Sequence, residues 1–223
     1  MSKRQATRRV FDYQPREYWE ARGETYRSHE QELNRSGKTA RQLEVIRRAL
    51  ARIKPRTVLE IGCGSGRISR VLAHASETYI AFDIAKSMLM QARANVSGDE
   101  AWWLLADSAN LPFRAKSVDT IVLSEVLLHI PPVGIEGSLL EIARVARTAI
   151  ILDFFVKDFE NPRRFRQVTK SLDSHNFLHD YPALFEATGL SIVSRVELSE
   201  LSQTCFVLQS LRPGVFATHE GLQ

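Results

Sequence analysis

Apolar residues recur along this chain in two rhythms. From Thr39 to Ile53 they fall three or four apart, with Leu43, Ile46, Leu50 and Ile53 on one face, which predicts a helix. Thr39 and Gln42 stand at its start as a capping box, and Pro55 ends it. Beyond it, short apolar runs at 57–61, 78–82, 101–106, 117–123 and 148–155 alternate with helical segments at 66–75, 86–95 and 135–146. Strands and helices in that order, joined by right-handed crossovers, predict a parallel sheet covered by helices. Residues 180–188 read as a further helix, with Pro182 in its first turn and Gly189 as its stop. The runs 190–197 and 204–209 then alternate well enough for a closing hairpin. Ahead of all this, residues 15–33 place Tyr18, Trp19, Arg22 and Tyr26 on one helical face. Residues 157–176 are polar, carry Arg163, Arg164 and Arg166, and stand where a substrate-covering insertion would sit.

One strand end is chemically distinctive. Val58 to Ser69 reads VLEIGCGSGRIS, an apolar strand carrying Glu60 that breaks into Gly62, Gly64 and Gly66 before turning helical. Glycines bring the backbone close to a ligand, and free N–H groups at a helix start favour a carboxylate or phosphate. Dinucleotide-binding turns space their glycines G-x-G-x-x-G. The spacing here is G-x-G-x-G, with an acid two places before it. This segment resembles the first motif of the class I S-adenosylmethionine-dependent methyltransferases. The second strand ends in Asp83, seventeen residues after Gly66. A carboxylate there suits the two hydroxyls of a ribose, and it also suits the cap of the helix that follows.

The resemblance extends over residues 40 to 210 and implies a three-layer α/β/α, Rossmann-like fold. Its sheet is seven-stranded and mostly parallel, with a terminal antiparallel hairpin. S-adenosylmethionine is the implied cofactor, with Ile84 and Met88 lining its adenine. Asp107, beside Ser108 in the turn before NLPF, accepts from the exocyclic amine. Glu60 either fixes the glycine turn through its amides or receives the cofactor's amino group, and Ser124 contributes its backbone carbonyl. An N-terminal helix closes over the methionine end, with Tyr13, Trp19 and Arg22 as its candidates. His129, in EVLLHI, is the candidate catalytic base, set against a histidine that shapes its loop by bonding a backbone carbonyl. His175 and His179 are lesser candidates, and Glu125 either orients substrate or faces water. The implied reaction is in-line methyl transfer to an oxygen, nitrogen or carbon of a small molecule.

Composition narrows the alternatives. A hydrophobic fraction of 44% over 223 residues suffices for one core, with a cofactor domain at 39–210, a basic tail and helical cap at 1–38, and a tail at 211–223. No run of eighteen apolar residues exists, and the N-terminus lacks the apolar core of a secretory signal, so a soluble cytoplasmic protein is expected. Cys63 and Cys205 form neither a disulfide framework nor a zinc spacing; Cys63 reads as a small packing residue, and no metal is expected. The net charge of +4 is partly concentrated at Lys3, Arg4, Arg8 and Arg9. A nucleic-acid partner is not favoured, because SEVL lacks the Pro-Pro-aromatic pattern that holds a base. An RNA or protein methyltransferase and a non-catalytic cofactor-binding subunit stay as alternatives; the glycine spacing argues against a nicotinamide enzyme.

Overall fold

The computed structural model describes residues 13–23, 25–96, 101–154 and 176–211. The basic N-terminal tail, the arginines at 163, 164 and 166, His175 and the C-terminal tail lie outside them. Three helices come first, α1 (Pro15–Arg22), α2 (Tyr26–Arg35) and α3 (Lys38–Ile53). Strands and helices then follow as β1 (Thr57–Ile61), α4 (Ser69–Ala73), β2 (Thr78–Asp83), α5 (Lys86–Asn95), β3 (Ala101–Leu105), β4 (Val118–Ser124), α6 (Pro132–Val145) and β5 (Ala146–Phe154), with no helix between β3 and β4. The chain closes with α7 (Tyr181–Thr188), β6 (Leu190–Leu198) and β7 (Gln203–Ser210).

The seven strands form one sheet in the order β3-β2-β1-β4-β5-β7-β6. The first five are mutually parallel, and β7 runs antiparallel to both β5 and β6. This is the expected mostly parallel sheet with a terminal antiparallel pair. Alternation along each strand divides the core. Leu59, Ile61, Ile121 and Leu123 pack with Leu139 and Ile142 of α6 and with Tyr181 and Phe185 of α7. Val58, Tyr79, Val122 and Ile150 face the other way, onto Ile46 and Leu50 of α3 and Leu72 of α4.

Three local expectations are corrected. The capping box does not form: α3 begins after Gly37, in the left-handed region at φ 75°, with no side-chain cap. Thr39 and Gln42 instead turn their side chains to Arg67. The aromatic N-terminal segment is two helices rather than one. Gly23 closes α1, its N–H bonding Trp19 O at 3.1 Å, and a Cβ on Gly23 would lie 2.3 Å from Ser87 Oγ, so the chain turns where it meets α5. After the glycine turn, regular helix covers only Ser69–Ala73, because the preceding residues are spent on the turn itself.

Candidate active site

The carboxyl ends of β1, β2, β3 and β4 open on one edge of the sheet, where open α/β sheets hold ligands. The glycine turn is fastened there by its neighbour strand. The N–H groups of Gly62 and Cys63 both donate to Phe82 O, at 2.9 and 3.0 Å. Gly64 N donates to Asp83 Oδ2 and Ala85 N to Asp83 Oδ1, each at 2.9 Å. Asp83 therefore ties the turn to the end of β2, and Ala85, not Asp83, is the N-cap residue of α5. Burial raises the Asp83 carboxyl above its ordinary range, against the backbone donors that lower it. Gly62 has φ 66°, and a Cβ there would stand 2.6 Å from Val126 Cγ2, so both the turn and its packing require glycine. Above Gly64 the space is open, the nearest atom being Tyr26 Cε1 at 4.0 Å.

That space belongs to a cavity of about 280 Å³ roofed by Pro15, Trp19 and Tyr26. Of the residues expected from sequence, Trp19, Glu60, Gly62, Cys63, Gly64, Asp83, Ile84, Met88, Asp107, Ser108, Ser124 and His129 border it. Gly66 and Arg22 do not. Gly66 faces α5, where a Cβ would lie 3.1 Å from Ala92 Cα, and the Arg22 guanidinium sits 5.4 Å from the centre of the Tyr18 ring. Tyr13 stays off the lining, packed against Tyr18 and Phe177 at 5.5 and 5.9 Å. Cys63 is buried, and burial pushes its thiol well up, as suits a packing residue.

Glu60 is 1% exposed and bonds no glycine amide. Its Oε2 accepts from Ser69 Oγ at 2.7 Å and from Tyr79 OH. Burial pushes the carboxyl up to about 7, although both hydroxyls act to lower it. Asp107 is exposed and accepts from Ala109 N at 2.9 Å, and Ser108 Oγ pairs with Ser138 Oγ at 2.9 Å.

At the end of β4, Glu125 holds φ 59° and gathers a polar cluster. Lys38 Nζ donates to it at 2.5 Å, Gln203 Nε2 at 2.9 Å, and Arg67 and Gln42 at 3.2 Å. Burial alone would raise this carboxyl, but Lys38 and Arg67 outweigh it and hold it below the usual range. Glu125 thus faces cations, not water. Arg67 also reaches Gln42 and Ser124.

His129 lies in a short 3₁₀ turn, Leu127–His129, with its ring edge-on to Trp19 at 4.7 Å. The loop is held from behind by His179, whose Nε2 stands 3.1 and 3.0 Å from the carbonyls of Leu127 and Ile130. Leu128 N donates to buried Asp153 at 3.2 Å. Burial lowers the His179 pKa, and its ring is spent on the loop. His179 thus bonds two carbonyls of this loop, and His129 borders the cavity.

Sequence reasoning missed Ser65, Tyr26, Arg67 and the partners of Glu125. Tyr26 was readable only as part of a core stripe. Arg67, directly after the third glycine, was the one visible signal; Gln42 and Gln203 meet across 161 positions. Ser65 lines the cavity with a buried Oγ that has no hydrogen-bond partner, and that supports a polar ligand there. Among the described residues no group of three or more His, Cys, Asp or Glu is placed to hold a metal ion. No helix among them is long and apolar enough to cross a membrane.

Comparisons with known proteins find a methyltransferase domain. Residues 58–149 match the family described as "Methyltransferase domain". The chain is 31% identical over 111 residues to magnesium protoporphyrin IX methyltransferase of Arabidopsis thaliana, covering 46% of this chain and 34% of that protein. It is 33% identical over 155 residues to demethylmenaquinone methyltransferase of Tropheryma whipplei, covering 65% and 62%. The chain thus spans between a third and just under two thirds of these relatives. In fold it resembles the magnesium protoporphyrin IX methyltransferase of Synechocystis PCC 6803 with bound SAH, at TM-score 0.68 and 18% identity over 87% of this chain and 97% of that one. In its glycine turn, its strand-end acids, its match over residues 58–149 and its fold together, the chain is similar to the class I S-adenosylmethionine-dependent methyltransferases.

Proposed function

We propose that this protein transfers a methyl group from S-adenosylmethionine to an oxygen, nitrogen or carbon of a small molecule. The observation that carries the reading is the order of polar groups along the sheet edge. Asp107 follows β3, Asp83 ends β2, Glu60 and Arg67 flank the turn after β1, and Ser124 with Glu125 ends β4. Such a row matches an adenine amine, a ribose diol, then an amino acid whose ammonium meets Glu60 and whose carboxylate meets Arg67. Ile84 and Met88 offer the adenine an apolar wall. The unpartnered Ser65 hydroxyl and the open face of Gly64 fit the same ligand.

When bound, the cofactor supplies an electrophilic methyl on its sulfonium. The chain's own task is to bind, orient and exclude water. Pro15, Trp19 and Tyr26 roof the cavity, which makes α1 and α2 a cap on the cofactor domain. His129, steadied by Trp19 and by the loop that His179 pins, takes the acceptor's proton where the acceptor carries one. The names of the two relatives, a porphyrin and a quinone methyltransferase, support a small-molecule acceptor.

Isothermal titration with S-adenosylmethionine, S-adenosylhomocysteine and NAD tests the cofactor. Binding of the first two alone is expected, and binding of neither overturns the reading. His129→Ala is expected to lower turnover in a labelled-methyl assay about a hundredfold, the ordinary scale of lost acid–base catalysis, with cofactor affinity kept. Unchanged turnover on the true acceptor makes His129 structural.

A further inference from the structure

A second concavity lies at the opposite end of the sheet, sharing no lining residue with the first. Its walls are the last turns of α3, the α4 segment, and the residues just before β1 and β2. The floor is apolar, with Leu50, Ala51, Pro55 and Val71, and the rim carries Arg47, Lys54, Arg56, Arg70 and His74. Glu77 is the only acid of the lining, and it is committed to Arg56 at 2.9 Å. Arg47, Lys54 and Arg70 have no ion pair among the described residues.

Elsewhere on α3 two arginines are paired with an acid. Arg41 and Arg48 share Glu44, at 3.1 and 2.5 Å. Arg47, one position from Arg48 but turned to the groove, has no such partner. Lys54 is held there with φ 53°, a backbone conformation uncommon for a side-chain-bearing residue. Its charge suits the carboxyl end of α3, but that accounts for one cation of the set. Three exposed cations with no ion pair among the described residues line one groove with an apolar floor.

We infer that this groove binds a small phosphate ester, its phosphates on Arg47, Lys54 and Arg70 and its less polar body on the Leu50–Pro55 floor. The guanidinium groups supply forked donors for phosphate oxygens. The site is separate from the methyl-transfer pocket and independent of that reading.

The test is calorimetric titration of the full chain with inorganic tripolyphosphate, and with ATP in saturating S-adenosylhomocysteine so that adenosine has no place in the first pocket. Ionic strength is matched throughout. Binding is expected to weaken about tenfold or more in Arg47→Ala/Arg70→Ala, and to change little in Arg41→Ala/Arg48→Ala, which removes equal charge outside the groove. Equal affinity for the two probes assigns binding to the phosphates alone, and tighter ATP binding assigns a share to the floor. Absence of binding, equal loss in both double variants, or binding of a single-stranded oligonucleotide but of neither probe would overturn the inference. If S-adenosylhomocysteine itself fails to bind, the tripolyphosphate titration still decides the groove.

Discussion

At the scale of single residues, Glu60 couples the site to solution pH. Its carboxyl titrates near 7 in the folded chain against an ordinary 4.5, because burial disfavours the anion. Between those values the native state holds a proton that the unfolded chain has lost, so stability falls as pH rises through this window. Glu60→Gln removes that dependence. Relative to the native protein it is expected to gain on the order of 1–3 kcal/mol between pH 5 and pH 8 in urea unfolding, and parallel curves would refute the assignment. Asp83 acts differently, since both its oxygens already hold backbone donors. Asp83→Ala is expected to cost about 1–3 kcal/mol of stability and to weaken S-adenosylhomocysteine binding by about tenfold or more. Unchanged affinity in calorimetry would remove Asp83 from the ribose. Both acids were legible in the sequence, Asp83 because it ends an apolar run and Glu60 because it stands two places before the first glycine of G-x-G-x-G. The ring of donors around Glu125 was not, since Lys38, Arg67 and Gln203 come from three distant segments.

At the scale of elements, the capping helix α1 is held by the start of α5. Ser87 N donates to both Glu20 oxygens at 3.2 Å, Ser87 Oγ donates to Glu20 O at 2.9 Å, and Gln91 reaches Gly23 O. Glu20 thereby places a carboxylate on the positive end of α5, where Ala85 offers no side-chain acceptor. These bonds are exposed, so Glu20→Ala is expected to cost at most about 1 kcal/mol of global stability. It is also expected to speed amide exchange in residues 15–22 and to raise the dissociation rate of bound S-adenosylhomocysteine in stopped flow. An unchanged rate would mean that α1 does not gate the pocket. The helices and strands themselves were readable: β1 and α5 stand at their expected bounds, because apolar period and strand ends coincide there. The break at Gly23 was hidden, because its cause is contact with Ser87, sixty-four positions away. The capping box failed for a related reason, since Arg67 competes for Thr39 and Gln42.

At the scale of the whole molecule, the alternating pattern foretold the class of sheet, and the terminal hairpin foretold its last pair. Nothing in the pattern told that β7 is seated between β5 and β6 rather than at the rim; its burial on both faces suits that place, with Phe206 and Leu208 covered on one and Cys205 on the other. Removing residues 203–223 is therefore expected to abolish cooperative thermal unfolding rather than to trim an edge, and a preserved transition in calorimetry would contradict this. The same seating sets a limit on assembly during synthesis. On the ribosome β6 is made before β7, its one partner strand among the described residues, and β5 waits with one edge open until Gln203 to Ser210 arrive. A nascent chain of this protein passes through a stage with two unsatisfied strand edges, which is when a chaperone would have the most to protect.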